Sequence, residues 1–583
     1  MAETAPRVVP RPRRVERRAG TVSLEPPFAI ATTDSAAGPV AQLLESLLER
    51  ETNGSAVRWD GSASEPDFRL ALETPPTETV DDPEGYVLET DTDTETVTIS
   101  AETVDGLRHG CQTLVTALER TSGDGAADGR WTLPDCEIRD WPETDWRGFM
   151  LDPARGFLSV ETVKRRIDQA ARAKYNRLHL HLLDDEGYAL ESAAFPELNQ
   201  DLDGTDRPAY SPDDVAELVE YAAERGIEIL PEIDVPAHAT HVLERYPELQ
   251  CTVEDGEPAD RTMCLGADET IAFVETLLDE VVDLFPFDVV HVGGDEWKMH
   301  GHSWDECVGC RQKMEADGSA SVTEYFYAFV RHVHDFLEDR GRRTMMWNDQ
   351  IDISESPDLP RDVLIQFWRV AAPDRGPVED CSMERFLEEG FEVVNSYVHA
   401  AYVRGWISEE YMYGWAPRRR PTVPADRATQ VRGGELLAWE PSSEARRDYF
   451  ERALPSAIPI FADRLWNASP IDDRTAFSRS VTRHALGPYV PGRFDVYREL
   501  GGTIAPTWWK RDAGTLLAHV NSSLGDRTAP EAVADYRETI KTLLRLRAAN
   551  ETIYDETATA YVEALEWLAE AAERDGRGVI DRP

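Results

Sequence analysis

Eight short β-branched runs, most of them separated by segments of helical periodicity, fill the middle of the 583-residue chain. They predict a closed (β/α)8 TIM barrel of the α/β class, preceded by a small α+β domain and followed by a C-terminal helical region. Two further observations support the barrel. Seven of the eight runs end in or near a charged, aromatic or hydroxyl side chain, as expected where C-terminal strand ends build a site. No phosphate-cradling glycine fingerprint follows the first run, as it would in an open doubly wound sheet.

In chain order, residues 1–20 hold Arg7, Arg11, Arg13, Arg14, Arg17 and Arg18 with no apolar segment after them, so they read as a disordered Arg-rich tail and not a secretory signal. Residues 21–140 form the small domain: 43–48 are amphipathic, 84–89 and 96–100 alternate like strands, and 106–118 has a helical period. A turn-rich connector, 123–129, leads to the barrel at 141–480. Its strands are expected at 147–152, 177–184, 228–234, 289–292, 343–347, 363–368, 391–396 and 434–439. Helices are expected at 160–174 behind the N-cap Ser159, 212–225 behind Ser211, and at 269–285, 324–339 and 383–389. Residues 481–583 are expected to be helical, with amphipathic stretches at 533–547 and 557–574.

Composition narrows the partners. The chain has 61 Lys+Arg against 110 Asp+Glu, a formal charge of −49, which argues against nucleic acid or an anionic membrane surface. Only Lys164, Lys174, Lys298, Lys313, Lys510 and Lys541 are lysines. At about 1 M salt the Debye length falls to ~3 Å and such self-repulsion is screened, so the acidity points to a halophilic protein. Apolar runs fall short of the ~20 residues that span a bilayer, and a cytoplasmic address is expected. Seven cysteines suit a reducing compartment better than a disulfide scaffold. Cys307-Val-Gly-Cys310 has metal-like spacing, but no second Cys or His pair stands at the usual distance, so neither metal nor cofactor is expected. Cys251 and Cys264 bracket one loop, and their pairing is left open.

The sharpest segment is His291-Val-Gly-Gly-Asp-Glu-Trp297. Neighbouring strand residues face opposite ways, so Asp295 and Glu296 reach one pocket only if the backbone leaves the ladder, which Gly293 and Gly294 permit. Crowded carboxylates also push one pKa upward, as a general acid near neutral pH requires.

The segment His291-x-Gly-Gly-Asp-Glu296 resembles the signature of glycoside hydrolase family 20, the β-N-acetylhexosaminidases. Trp146-Arg-Gly-Phe-Met-Leu-Asp-x-x-Arg155, Asn176-Arg-Leu-His-Leu-His-Leu-Leu-Asp-Asp185, the segment 221–234 and Ala462-Asp-Arg-Leu-Trp466 are similar to further family segments, in the family's order. Segments 84–88 and 106–114 resemble its small N-terminal domain, so the likeness covers residues 20–480.

The resemblance implies an exo-acting retaining hydrolase that removes a terminal β-linked 2-acetamido-2-deoxy hexose, with the sugar's own acetamido oxygen attacking to form an oxazolinium ion; this family is an exception to the two-carboxylate rule. On it, Asp295 would hold the acetamido N–H and Glu296 would act as acid and then base. Asp184 and His238 would tune Glu296, and Tyr402 would donate to the acetamido oxygen. Arg155 would grip ring hydroxyls, and Trp347, Trp368 and Trp439 would wall the pocket. The partner is then a small-molecule or oligosaccharide substrate; oligomeric state is not legible.

Four departures accompany the likeness. Arg404 and Pro441, with Glu440 shifted by one, stand where the family usually has acids for the 4- and 6-hydroxyls. Ala237 replaces a glycine, and Glu186-Gly-Tyr188 departs from Gln-Gly-Trp. Arg404 favours an anionic or C6-modified amino sugar as an alternative substrate by the same mechanism, and release of a disaccharide unit is a further one. A catalytically inactive carbohydrate-binding protein is the other alternative.

Overall fold

The computed structural model describes residues 8–484, apart from 53, 62–64, 75–81, 121–129, 254–260, 298–303, 350, 352–358, 370–381, 404–408, 420–422, 441–443, 468, 472–473, 475, 478–479 and 482–483. The expected connector at 123–129 and the C-terminal helical region beyond 484 lie outside the described residues, as do Arg404 and Pro441.

The N-terminal sheet runs in the order Arg14–Leu24, Trp131–Asp140, Tyr86–Asp91, Thr96–Ala101, Phe68–Leu72, Phe28–Thr32 and Ala56–Arg58. Helices Gly38–Thr52 and Val104–Ala117 bury Leu44, Leu48, Leu107 and Leu114 in one core with Phe28, Ile99 and Ile138. Residues 8–20 are not a disordered tail. Arg14–Leu24 pairs antiparallel with Trp131–Asp140, and Val8 and Val9 are buried. Ahead of that strand, Arg11 clamps the fully buried carboxylate of Asp463 through Nε at 3.0 Å and Nη2 at 2.9 Å. Arg13 donates to the Trp141 carbonyl at 2.7 Å and the Glu143 carboxylate at 2.9 Å. The order comes from distant partners in the small domain's sheet and in the barrel, which local composition does not reveal.

All eight expected barrel strands form: Trp146–Leu151, Arg177–Asp184, Glu228–Ile233, Val289–His291, Arg343–Trp347, Leu364–Phe367, Val393–Asn395 and Val431–Ala438. Each pairs in parallel with the next, and the ring closes because the first pairs with both the second and the last. The expected helices also form, at Val160–Arg172, Pro212–Glu224, Asp268–Leu284, Val322–Glu338 and Met383–Glu388. The Ser159 side chain accepts from the Thr162 amide; Ser211 and Asp214 form a reciprocal capping box ahead of Pro212. Such caps contribute about 1 kcal/mol each. The long helix Glu444–Trp466 follows the last strand, and the Trp466 indole donates to Asp140 at 2.8 Å. Lys174 and Tyr86 also reach the Asp140 carboxylate, at 2.8 and 2.9 Å, binding the barrel to the small domain.

Period-2 alternation sorts the barrel interior. Trp146, Leu230, Val289, Met345, Leu364 and Val394 form an apolar layer near the N-terminal strand ends. Above it the interior turns polar: Glu435 accepts from Trp146 Nε1 at 2.7 Å and Gln366 Nε2 at 2.8 Å, and lies 3.0 Å from His179 Nδ1. His179 Nε2 lies 3.1 Å from the next buried carboxylate, Glu232. This polar column leads toward the C-terminal mouth.

Candidate active site

At that mouth the backbone is bent so that side chains from successive strands converge. The fourth strand ends at His291, and Gly293 and Gly294 follow with φ of 66° and 86°. A Cβ on Gly293 would lie 1.8 Å from Asp234 Oδ1, so only glycine lets the turn approach the third strand this closely. The Gly294 amide donates to Asp234 Oδ1 at 3.2 Å and the Glu296 amide to Asp349 Oδ2 at 3.1 Å, which fixes the two acids that follow. Glu296 itself has φ of 53° and His238 has φ of 51°. Such conformations cost about 1–3 kcal/mol each and persist where surrounding contacts determine them.

Asp184, Asp295, Glu296 and His238 are brought together around one imidazole. His238 Nδ1 lies 3.3 Å from Asp184 Oδ1 and 3.4 Å from Asp185 Oδ2; its Nε2 lies 3.7 Å from Asp295 Oδ2 and 3.6 Å from Glu296 Oε2. Burial lowers the pKa of this imidazole, but the charges of Asp295 and Asp234 and the bonds to Asp184 and Asp185 outweigh it and hold the pKa well above the usual value. The protonated form of His238 is therefore favoured. Burial and the neighbouring Glu296 charge raise Asp295 against the pull of His238. Asp295 Oδ1 is buried and has no hydrogen-bond partner among the described residues. Burial and the Asp295 charge hold the Asp234 carboxyl well above the usual carboxylate range. Burial and the Asp295 charge push Asp349 up to about 7.

Arg155 bonds Asp152 Oδ2 at 3.0 Å and Asp184 Oδ2 at 2.5 Å, and its guanidinium lies 4.6 Å from the centre of the Trp439 ring. The aromatic wall is continuous. Trp368 stacks on Tyr402 at 5.8 Å, Tyr402 meets Trp439 at 5.8 Å, and Trp439 meets Trp347 at 6.0 Å. Trp347 and Trp439 are buried, Trp368 and Tyr402 half-buried, so the latter two form the open edge. The Trp368 indole donates to Asp349 at 2.8 Å and that of Trp347 to Glu232 at 2.7 Å, which sets both ring planes. Glu440 is buried directly after Trp439.

Three groups were missed. Glu232, fully buried, links Trp347, His179, His181 and His291, and His181 Nε2 passes the contact on to Asp184 at 2.7 Å. Asp349 orients Trp368 and the Glu296 amide and takes Arg369 at 2.8 Å. Both were findable: Glu232 stands two residues before Asp234 and Asp349 two after Trp347, on the same face by strand period. The third is a cysteine cluster. Cys251 and Cys264 do not pair but converge on Cys307 and Cys310, which lie 43 to 59 residues away, so the partners missing at the usual spacing come from an earlier loop.

These features agree with known proteins. The model of glycosyl hydrolase family 20, catalytic domain, matches residues 145–469, and that of the family's domain 2 matches residues 5–141. The chain is 28% identical over 438 residues to a beta-hexosaminidase of Porphyromonas gingivalis, covering 70% of this chain and 55% of that protein. It is 31% identical over 459 residues to one of Akkermansia muciniphila, covering 73% and 90%. The alignment thus spans little more than half of the Porphyromonas protein. Among solved structures, the GH20 exo beta-N-acetylglucosaminidase of Vibrio harveyi in complex with N-acetylglucosamine is similar at TM-score 0.70 and 25% identity, covering 82% of this chain and 76% of that one. The GH20 beta-N-acetylhexosaminidase of Streptomyces coelicolor is similar at TM-score 0.67 and 27% identity, covering 82% and 95%. The barrel, the domain before it and the paired acids at its mouth together place this chain in glycosyl hydrolase family 20.

Proposed function

We propose that the protein is an exo-acting retaining glycoside hydrolase that removes terminal β-linked 2-acetamido-2-deoxy hexose by substrate-assisted catalysis. The observation that carries this reading is the unpartnered Asp295 Oδ1, buried beside Glu296 and within reach of His238. A buried carboxylate oxygen suits an amide N–H whose nitrogen becomes positive as its carbonyl oxygen attacks the anomeric carbon. Glu296 protonates the departing oxygen and then deprotonates water at the same carbon. Arg155 and the Trp439 face hold the ring, while Trp347, Trp368 and Tyr402 close around the acetamido group.

The test is a pair of nitrophenyl β-glycosides alike except at C2. The 2-acetamido sugar is expected to be cleaved and the 2-hydroxy sugar to be inert, because the latter lacks the attacking oxygen; equal rates on both would overturn the reading. The relatives whose solved forms hold N-acetylglucosamine support that sugar as the first substrate to try.

The surplus of acids supports a protein built for molar salt, and six free, buried cysteines among the described residues support an intracellular address. No helix among the described residues is long and apolar enough to cross a membrane. Transfer from molar to millimolar salt is expected to lower the melting temperature steeply as screening is lost, read by circular dichroism. An unchanged melting temperature would contradict the salt reading.

A further inference from the structure

We propose that Cys251, Cys264, Cys307 and Cys310 bind one structural Zn²⁺ ion, away from the substrate pocket. Their four Sγ atoms all lie within 4.8 Å of one another, with Cys264 to Cys310 at 3.6 Å, Cys264 to Cys307 at 3.7 Å and Cys251 to Cys310 at 3.8 Å. Tetrahedral Zn–S bonds of about 2.3 Å put neighbouring sulfurs about 3.8 Å apart, whereas a disulfide needs about 2.05 Å. All four cysteines are buried. Cys111 and Cys136 are also buried, but as isolated small hydrophobes in the other domain's core. Convergence of four thiols from separate chain segments on one point is a coordination geometry.

The surroundings suit thiolates. The Gly266 amide donates to Cys310 Sγ at 3.3 Å, and a Cβ on Gly266 would lie 2.4 Å from the Cys310 nitrogen, so glycine is required for this approach. Cys307 occupies the N-cap of the helix Val308–Asp317, where the helix end favours negative charge. Tyr325 has a buried hydroxyl with no hydrogen-bond partner among the described residues. On binding, four thiols release four protons to water and the complex carries a net charge of −2, which the Gly266 amide and the helix N-terminus partly offset.

The consequence is positional. The site joins the loop after the third barrel strand to the segment after the fourth, which also meet at an isolated bridge between Val253 and Cys307. Trp304 donates to the Met263 carbonyl at 3.0 Å and stacks at 4.8 Å on Trp297, the residue next to Glu296. The ion would therefore stiffen the support of the acid without touching substrate.

The protein purified without chelator is expected to contain a single zinc per chain by mass spectrometry. Titration with an organomercurial should release that zinc in step with modification of four thiols and lower the melting temperature. Replacement by Co²⁺ should give the sulfur-to-metal absorption and tetrahedral visible bands of a four-thiolate site. The double variant Cys264→Ser/Cys310→Ser should lose the metal while Cys111→Ser keeps it. Metal-free protein whose four thiols alkylate under native conditions, a disulfide within the set, or iron in place of zinc would each overturn the assignment. These readouts are independent of glycosidase activity, so failure here leaves the proposed function standing, and the reverse also holds.

Discussion

Glu296→Gln is expected to lower kcat on an alkyl or sugar aglycone by about 10²–10⁴-fold, the usual share of a general acid–base group. Glutamine keeps the shape and the Asp349 contact at the Glu296 amide but carries no transferable proton. The loss should shrink on a nitrophenyl leaving group, which departs without protonation, so that hydrolysis of the intermediate becomes limiting. An anionic nucleophile such as azide needs no base and should then accelerate turnover of the variant. His238 and Arg369, 3.6 and 3.9 Å from the two Glu296 oxygens, remain in place, so the variant tests the proton and not the surrounding charge. Equal losses for good and poor leaving groups would place the acid elsewhere.

The fold was legible because the barrel writes itself locally. Runs with β-branched residues, polar strand ends and serine caps such as Ser159 and Ser211 are short-range signals, and each found its element. The paired acids at the mouth were legible for the same reason, since Gly293-Gly-Asp-Glu296 holds both the acids and the turn that brings them together. What the sequence hid depends on distant partners. Arg11 is ordered by Asp463, 452 residues away, and the cysteine set joins residues up to 59 apart. Glu232 differs: the strand period puts it on the Asp234 face, but only the closed barrel brings three histidines and Trp347 around it.

Asp295→Asn is expected to reduce kcat by about 10²–10³-fold with little change in KM, equivalent to about 3–4 kcal/mol of transition-state stabilisation. Asparagine can still accept the acetamido N–H through its carbonyl, so ground-state binding is largely kept. It cannot neutralise the charge that grows on the nitrogen as the five-membered ring closes. The loss therefore falls in the transition state, where the interaction strengthens most. The substitution carries a second, independent signature. Asp295 supplies the largest charge holding His238 protonated and raises Asp234 and Asp349. Removing that charge should move all three pKa values down, so the His238 imidazole should titrate at lower pH when followed by NMR. A variant whose KM rises at constant kcat would make Asp295 a mere binding contact. One that traps a sugar covalently on the protein would show that a side chain, and not the substrate's amide, makes the attack.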